Sequence, residues 1–150
     1  MSQPQHFQEI VKNLYLGDAG FVFEDSLPHF SLIVNMCPEL NCDYSHVSYD
    51  EIVRIKIMDA KEENDKWMDL IKKDNVLEKI HKCLSENKKV ILHCAMGISR
   101  SPSLTACYLI KFLNFTVKDA VKLIKQKRKE TFETGFTFLK SMVKFEYHLQ

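Results

Sequence analysis

Short apolar runs alternate along this chain with longer stretches in which apolar residues recur every three or four positions. Ile10 to Leu16 reads as strand material ending at Gly17, and Ser31 to Met36 (SLIVNM) as an apolar run of strand length. Ile52 to Met58 (IVRIKIM) alternates apolar and polar residues, the mark of a strand, with Asp59 at its C-terminal end. Lys89 to His93 (KVILH) is short and mostly apolar, as a central strand is. Asp18 to Leu27 predicts a helix stopped near Pro28, and Asn41 to Ser48 a polar loop. Trp67, Leu70, Ile71, Leu77, Ile80 and Leu84 follow at helical spacings, with Asn64 or Asp65 as the N-cap and a break near Lys72 to Asn75. Pro102 suits the first turn of a helix running to about Phe112. Thr116 with Asp119 resembles a capping box opening a helix to about Lys129, and Gly135 to Leu149 reads as a final helix.

Strands alternating with helices predict an α/β fold: a central, mainly parallel sheet of about five strands flanked by helices. The 150 residues fit one domain, residues 1–150 with a core from about 7, and no Pro/Gly/Ser-rich linker divides them. A net charge of +1 provides no global field toward nucleic acid or an anionic membrane, so any attraction for anions has to be local. The start MSQPQHF has no apolar signal core, the end YHLQ is not a prenylation box, and no apolar run approaches membrane-spanning length. These features point to the cytoplasm, with the nucleus as a second compartment, and to no membrane anchor. The oligomeric state is left open.

Five cysteines without a CxxC pair read as reduced thiols, not as a disulfide scaffold or a zinc site. Cys37 and Cys83 are expected in packing, Cys42 in a loop, and Cys107 in the core or as a disulfide partner of an oxidised Cys94. His29, His46, His81 and His148 have no ligand-like spacing. Arginine occurs only at 54, 100 and 128 in a lysine-rich chain, which draws notice to Arg100.

Candidate chemistry concentrates in VILHCAMGISRSPS, Val90 to Ser103. Cys94 ends the KVILH strand and a helix follows the loop. In such sheets ligands bind beyond the carboxyl ends of the strands. The backbone N–H groups of Ala95, Met96, Gly97, Ile98, Ser99 and Arg100 are expected to face one centre at a helix N-terminus, an anion site for phosphate or sulfate-like groups. Gly97 lets the chain curl with positive φ, and Arg100 offers a planar fork for two phosphate oxygens. The amides, the helix dipole and Arg100 all favour a thiolate at Cys94. A thiolate at the base of a phosphate cradle is placed for in-line attack on phosphorus.

HCAMGISRS resembles the signature loop of cysteine-based protein tyrosine phosphatases, His-Cys-x-x-Gly-x-x-Arg-Ser/Thr, and its Gly-Ile-Ser-Arg-Ser form looks most like the dual-specificity branch. LYLGDA, LIVNM, IKIMD, FTVKDAVKLIKQKR and TGFTFLKSMVKFEYHL resemble further segments of that family. The resemblance implies that Cys94 is the nucleophile, that Arg100 binds phosphate, and that Ser101 hydrogen-bonds the sulfur. It implies that His93 supports the loop from behind and that Asp59 is the general acid, with Asp65 better suited to capping. It also implies no metal and no cofactor, a small stand-alone domain, and phosphoprotein substrates carrying phosphotyrosine, phosphoserine or phosphothreonine. Two alternatives remain: the same chemistry on a phosphoinositide, phosphoglycan or RNA 5′-phosphate, or a catalytically weak phosphate-binding scaffold.

Overall fold

The computed structural model describes residues 6–148. The readings that bear on MSQPQ and on Leu149 and Gln150 lie outside them. Five strands form one sheet in the order β1-β2-β5-β3-β4. They are β1 (Phe7–Val11), β2 (Leu14–Gly17), β3 (Phe30–Asn35), β4 (Tyr49–Arg54) and β5 (Val90–His93). Among the described residues only the β1–β2 pair is antiparallel; β2, β5, β3 and β4 run parallel, with β5 in the middle. The expected mainly parallel sheet of five strands is present.

Side chains of successive strand residues point to opposite faces, and the two faces meet different cover. Leu14, Leu16, Leu32, Val34, Val90 and Leu92 join the larger core with residues of all five helices. These are α1 (Asn64–Lys73), α2 (Val76–Ser85), α3 (Arg100–Leu113), α4 (Val117–Lys127) and α5 (Leu139–His148). Ile33 and Ile91 face a smaller core with Phe7, Phe21, Phe30, Tyr44 and Val47. β3 and β5 are therefore apolar at consecutive positions because both of their faces are covered.

The chain departs from the expected elements in four places and keeps one expected break. Ile10 to Leu16 is not one strand: Asn13 takes φ 68° and turns the chain into a β1–β2 hairpin. Asp18 to Leu27 holds only a 3-10 turn, Ala19–Phe23, opened by Asp18, whose Oδ1 accepts from the Gly20 amide at 2.8 Å, and ended by extended backbone at Glu24. The strand expected over Ile52 to Met58 ends at Arg54. Ile55 and Ile57 stay buried, so the apolar alternation outlasts the ladder, and Asp59 lies in the loop beyond. The break expected near Lys72 to Asn75 is real, with Asn75 in the left-handed region between α1 and α2. The last helix starts at Leu139, four residues late, because Phe132 (φ 62°) and Gly135 (φ 109°) hold the preceding segment in turns.

Neither Asn64 nor Asp65 caps α1, whose N-cap position is Glu63. Asn64 instead donates through Nδ2 to the carbonyls of Lys61 (2.9 Å) and Thr137 (2.8 Å), and its Oδ1 accepts from the amide and hydroxyl of Ser141. It ties the start of α1 to the start of α5. Thr116 does cap α4, its Oγ1 accepting from the Asp119 amide at 3.1 Å. No helix among the described residues is long and apolar enough to cross a membrane.

Candidate active site

Four parallel strands bring their carboxyl ends to one edge of the sheet. His93 of β5 sits in register between Gly17 of β2 and Asn35 of β3. The segments that follow these strands, from Asp18, Cys94, Met36 and Ile55, therefore converge, as the topology of such sheets requires. At their centre lies the loop Cys94 to Ser99, which leads directly into α3.

The loop's shape is fixed by its carbonyls. The oxygen of Ala95 accepts from the Ala19 amide (3.0 Å) and that of Ile98 from the Phe132 amide (2.6 Å). Those of Met96 and Gly97 accept from Arg128 Nη2 and Nε, both at 3.0 Å. The Ser99 oxygen accepts from the amide and hydroxyl of Ser103. Five consecutive carbonyls are thus turned outward and satisfied. The amides of Ala95 to Arg100 donate to nothing among the described residues, and they have only the loop's inside left to face. Gly97 makes the curl possible: its φ is 65°, and a Cβ there would stand 2.7 Å from the Gly17 oxygen and 2.9 Å from Arg128 Nη2. Ser99 Oγ is buried with no hydrogen-bond partner among the described residues.

Cys94 is buried at the base of this ring, its Sγ 3.1 Å from Ser101 Oγ. Behind it, buried His93 pairs through Nε2 with the Tyr44 hydroxyl at 2.7 Å, while its Nδ1 lies 3.3 Å from the Cys94 oxygen. Burial pushes the His93 imidazole down to about 4, so the ring is neutral at physiological pH. Arg100 is buried too. Its Nη1 donates to Glu39 Oε1 (2.8 Å) and to the Ile57 carbonyl (3.0 Å), and its Nη2 to Glu39 Oε2 (2.6 Å). Burial opposes the guanidinium charge and is the largest single influence, but the Glu39 hydrogen bonds together with the charges of Cys94, Glu39 and Asp59 outweigh it, and the net shift of Arg100 is upward. The same bonds hold the Glu39 carboxyl below its ordinary value of 4.5. Asp59 is exposed, with its charge acting on Arg100, whereas Asp65 is exposed on the first turn of α1.

Two residues of this arrangement escape a reading of the sequence. Glu39 lies in the loop after β3, 61 positions from the arginine it grips. Arg128 is nearly fully buried at the end of α4 and also donates to Gln8 Oε1 (2.8 Å) and Asp18 Oδ2 (3.1 Å). The scarcity of arginine carried a signal for it. In a lysine-rich chain, Arg100 and Arg128 both use the planar fork, and Arg54 lies over the Tyr44 ring, 5.8 Å from its centroid.

The family model described as "Dual specificity phosphatase, catalytic domain" matches residues 14–148. A tyrosine phosphatase of Invertebrate iridescent virus 6, named 123R, is 32% identical over 138 residues, spanning 92% of this chain and 90% of that protein. Human dual specificity protein phosphatase 9 is 30% identical over 147 residues, 95% of this chain, which spans only 36% of that longer relative. In fold, the chain resembles the crystal structure of human DUSP28, with a TM-score of 0.79 at 19% identity over 99% of this chain and 97% of that one.

Proposed function

We propose that this chain, which belongs to the dual specificity phosphatase family, hydrolyses phosphate monoesters of tyrosine, serine and threonine on proteins through a phosphocysteine at Cys94. The observation that supports the reading is the run of satisfied carbonyls from Ala95 to Ser99, which leaves the six amides of Ala95 to Arg100 without a partner among the described residues and free to face an anion. Such a nest attracts an anion without any basic cluster.

The donors of Arg100 are divided to suit this role. A guanidinium carries five N–H groups. Glu39 takes one from each terminal nitrogen and the Ile57 carbonyl takes the second of Nη1. The two that remain are Nε–H and the second Nη2–H, which share one edge and match two phosphate oxygens. Glu39 thereby orients the fork without using the edge that the substrate needs.

In the first step the Cys94 thiolate attacks phosphorus, a P–S bond forms and the ester P–O bond breaks. The leaving oxygen takes a proton from Asp59. In the second step water attacks the phosphocysteine and gives its proton to the Asp59 carboxylate. Sulfur departs as thiolate, stabilised by the Ser101 hydroxyl at 3.1 Å. The amides and Arg100 hold the equatorial oxygens throughout and stabilise the charge that develops on them. Neutral His93 holds the base of the loop through Tyr44 and takes no proton. No metal or cofactor enters these steps, and the cytoplasm is the compartment that suits the reduced thiol.

The test is phosphate release from a small aryl phosphate and from phosphopeptides, with reductant and chelator present. Wild type turns over and Cys94→Ser does not, although both give the same circular dichroism spectrum. Undiminished turnover in Cys94→Ser would overturn the mechanism. A folded wild type that binds orthovanadate without turnover would leave the phosphate-binding scaffold.

A further inference from the structure

Directly behind the catalytic loop, three soft donors meet: Cys37 from the turn after β3, Cys42 five residues on, and His93 from the end of β5. Cys37 Sγ lies 3.9 Å from Cys42 Sγ and 3.8 Å from His93 Nδ1, and all three ligand atoms lie within 4.8 Å of one another. A tetrahedral zinc ion with Zn–S of about 2.3 Å and Zn–N of about 2.0 Å puts sulfur about 3.8 Å from sulfur and about 3.5 Å from nitrogen. The two separations lie within a few tenths of an ångström of this pattern. We propose that Cys37, Cys42 and His93 form a site for a soft divalent cation of the zinc class, separate from the phosphate cradle.

The surroundings fit a metal site in three further ways. Tyr44 holds His93 Nε2 at 2.7 Å, the outer-sphere hydrogen bond that orients a ligating imidazole. In the empty site Nδ1 also lies 3.3 Å from the Cys94 oxygen, a bond it makes only as the protonated nitrogen, so ligation would move the proton to Nε2, where the Tyr44 hydroxyl, already accepting from Asn35 Nδ2 at 2.7 Å, keeps a second lone pair for it. The Cys37 amide donates to Asn35 Oδ1 at 2.8 Å, which fixes the turn that carries the first sulfur. A cavity of about 120 Å³ opens beside Cys37, lined also by Asn35, Pro38, Arg54 and Lys56. Cys42 is half-buried and is the ligand nearest solvent.

Charge balances on binding. Each thiol gives its proton to solvent as its sulfur ligates, so one dication replaces two protons and the buried group of two thiolates and one metal ion is neutral. The cation would close the loop from Cys37 to Cys42. That loop carries Glu39, the residue that grips Arg100, so the metal would fix the position of the arginine fork from outside the active site.

The proposal rests on binding and does not depend on the phosphatase reading. Full-length protein, reduced with a phosphine and stripped with chelator, is titrated with zinc chloride against a chromophoric chelator. Wild type and Cys94→Ser each bind one equivalent, and Cys42→Ser and Cys37→Ser bind at least tenfold more weakly. Cobalt chloride produces a thiolate-to-metal charge-transfer band and the visible bands of tetrahedral cobalt in wild type, both lost in Cys42→Ser. Cys42 is half-exposed in a loop and its replacement is the milder one, so it decides the matter if Cys37→Ser does not fold. Three results would each overturn the site: no zinc bound by wild type, unchanged affinity in Cys42→Ser, or loss of binding in Cys94→Ser alone, which would put the metal on the nucleophile.

Discussion

Glu39 and Arg100 set the terms at the scale of single residues. The carboxyl of Glu39 is held below its ordinary value, so its ionised form stabilises the fold. That contribution is complete at neutral pH and fades as the pH falls through the folded-state value, below 4.5. Glu39→Gln is therefore expected to melt below wild type at pH 7, with the gap closing in acid; an equal gap at pH 7 and pH 3.5 would refute the pairing. Asp59 makes a different kind of prediction. As the proposed general acid its loss matters most when the leaving oxygen is a poor one, so Asp59→Asn should slow an alkyl phosphate on the order of a hundredfold and a nitrophenyl ester far less. If Asp65→Asn has that signature, the acid is misassigned. The grouping of Cys94, Arg100 and Ser101 was legible because one loop and the first turn of the helix after it carry all three. Glu39 was not, because nothing near it in the chain marks a carboxylate that will meet an arginine across the sheet edge.

Elements read well wherever a single face is buried and poorly where burial and hydrogen bonding part company. Thr116 with Asp119 announced α4 correctly, and the Thr116 Oγ1 bond to the Asp119 amide is local and exposed. Thr116→Ala should cost about 1 kcal/mol of stability with kcat/KM unchanged, as measured by urea unfolding and turnover; a change in turnover would show that α4 reaches the site through more than Arg128. The end of β4 misled for a physical reason. Ile55 and Ile57 keep the alternating burial of a strand after pairing has stopped, because the loop beneath them runs over the core. The β1–β2 hairpin was hidden in the same way, with the apolar pattern continuing across the turn at Asn13. Periodicity reports burial, and the ladder has to be inferred from it.

The whole molecule has one extended core, shared by all five helices and the sheet, with a smaller aromatic core on the far face. The active loop is attached to this body at Ala19, Arg128, Phe132 and Ser103, contacts spread over most of the chain. An anion seated in the loop is therefore linked to global unfolding. Orthovanadate at a hundred times its Kd should raise the unfolding free energy by about 2.7 kcal/mol, and a melting temperature indifferent to vanadate would mean the cradle is not formed. The outward carbonyls have a last consequence, for hydrogen exchange. Exchange ordinarily slows where structure is firm, because a bond has to open first. Here the best-anchored loop has amides with no bond to open. Deuterium should enter Ala95 to Arg100 early in the empty protein and late once an oxyanion is seated, so the loop's protection would report occupancy and not rigidity.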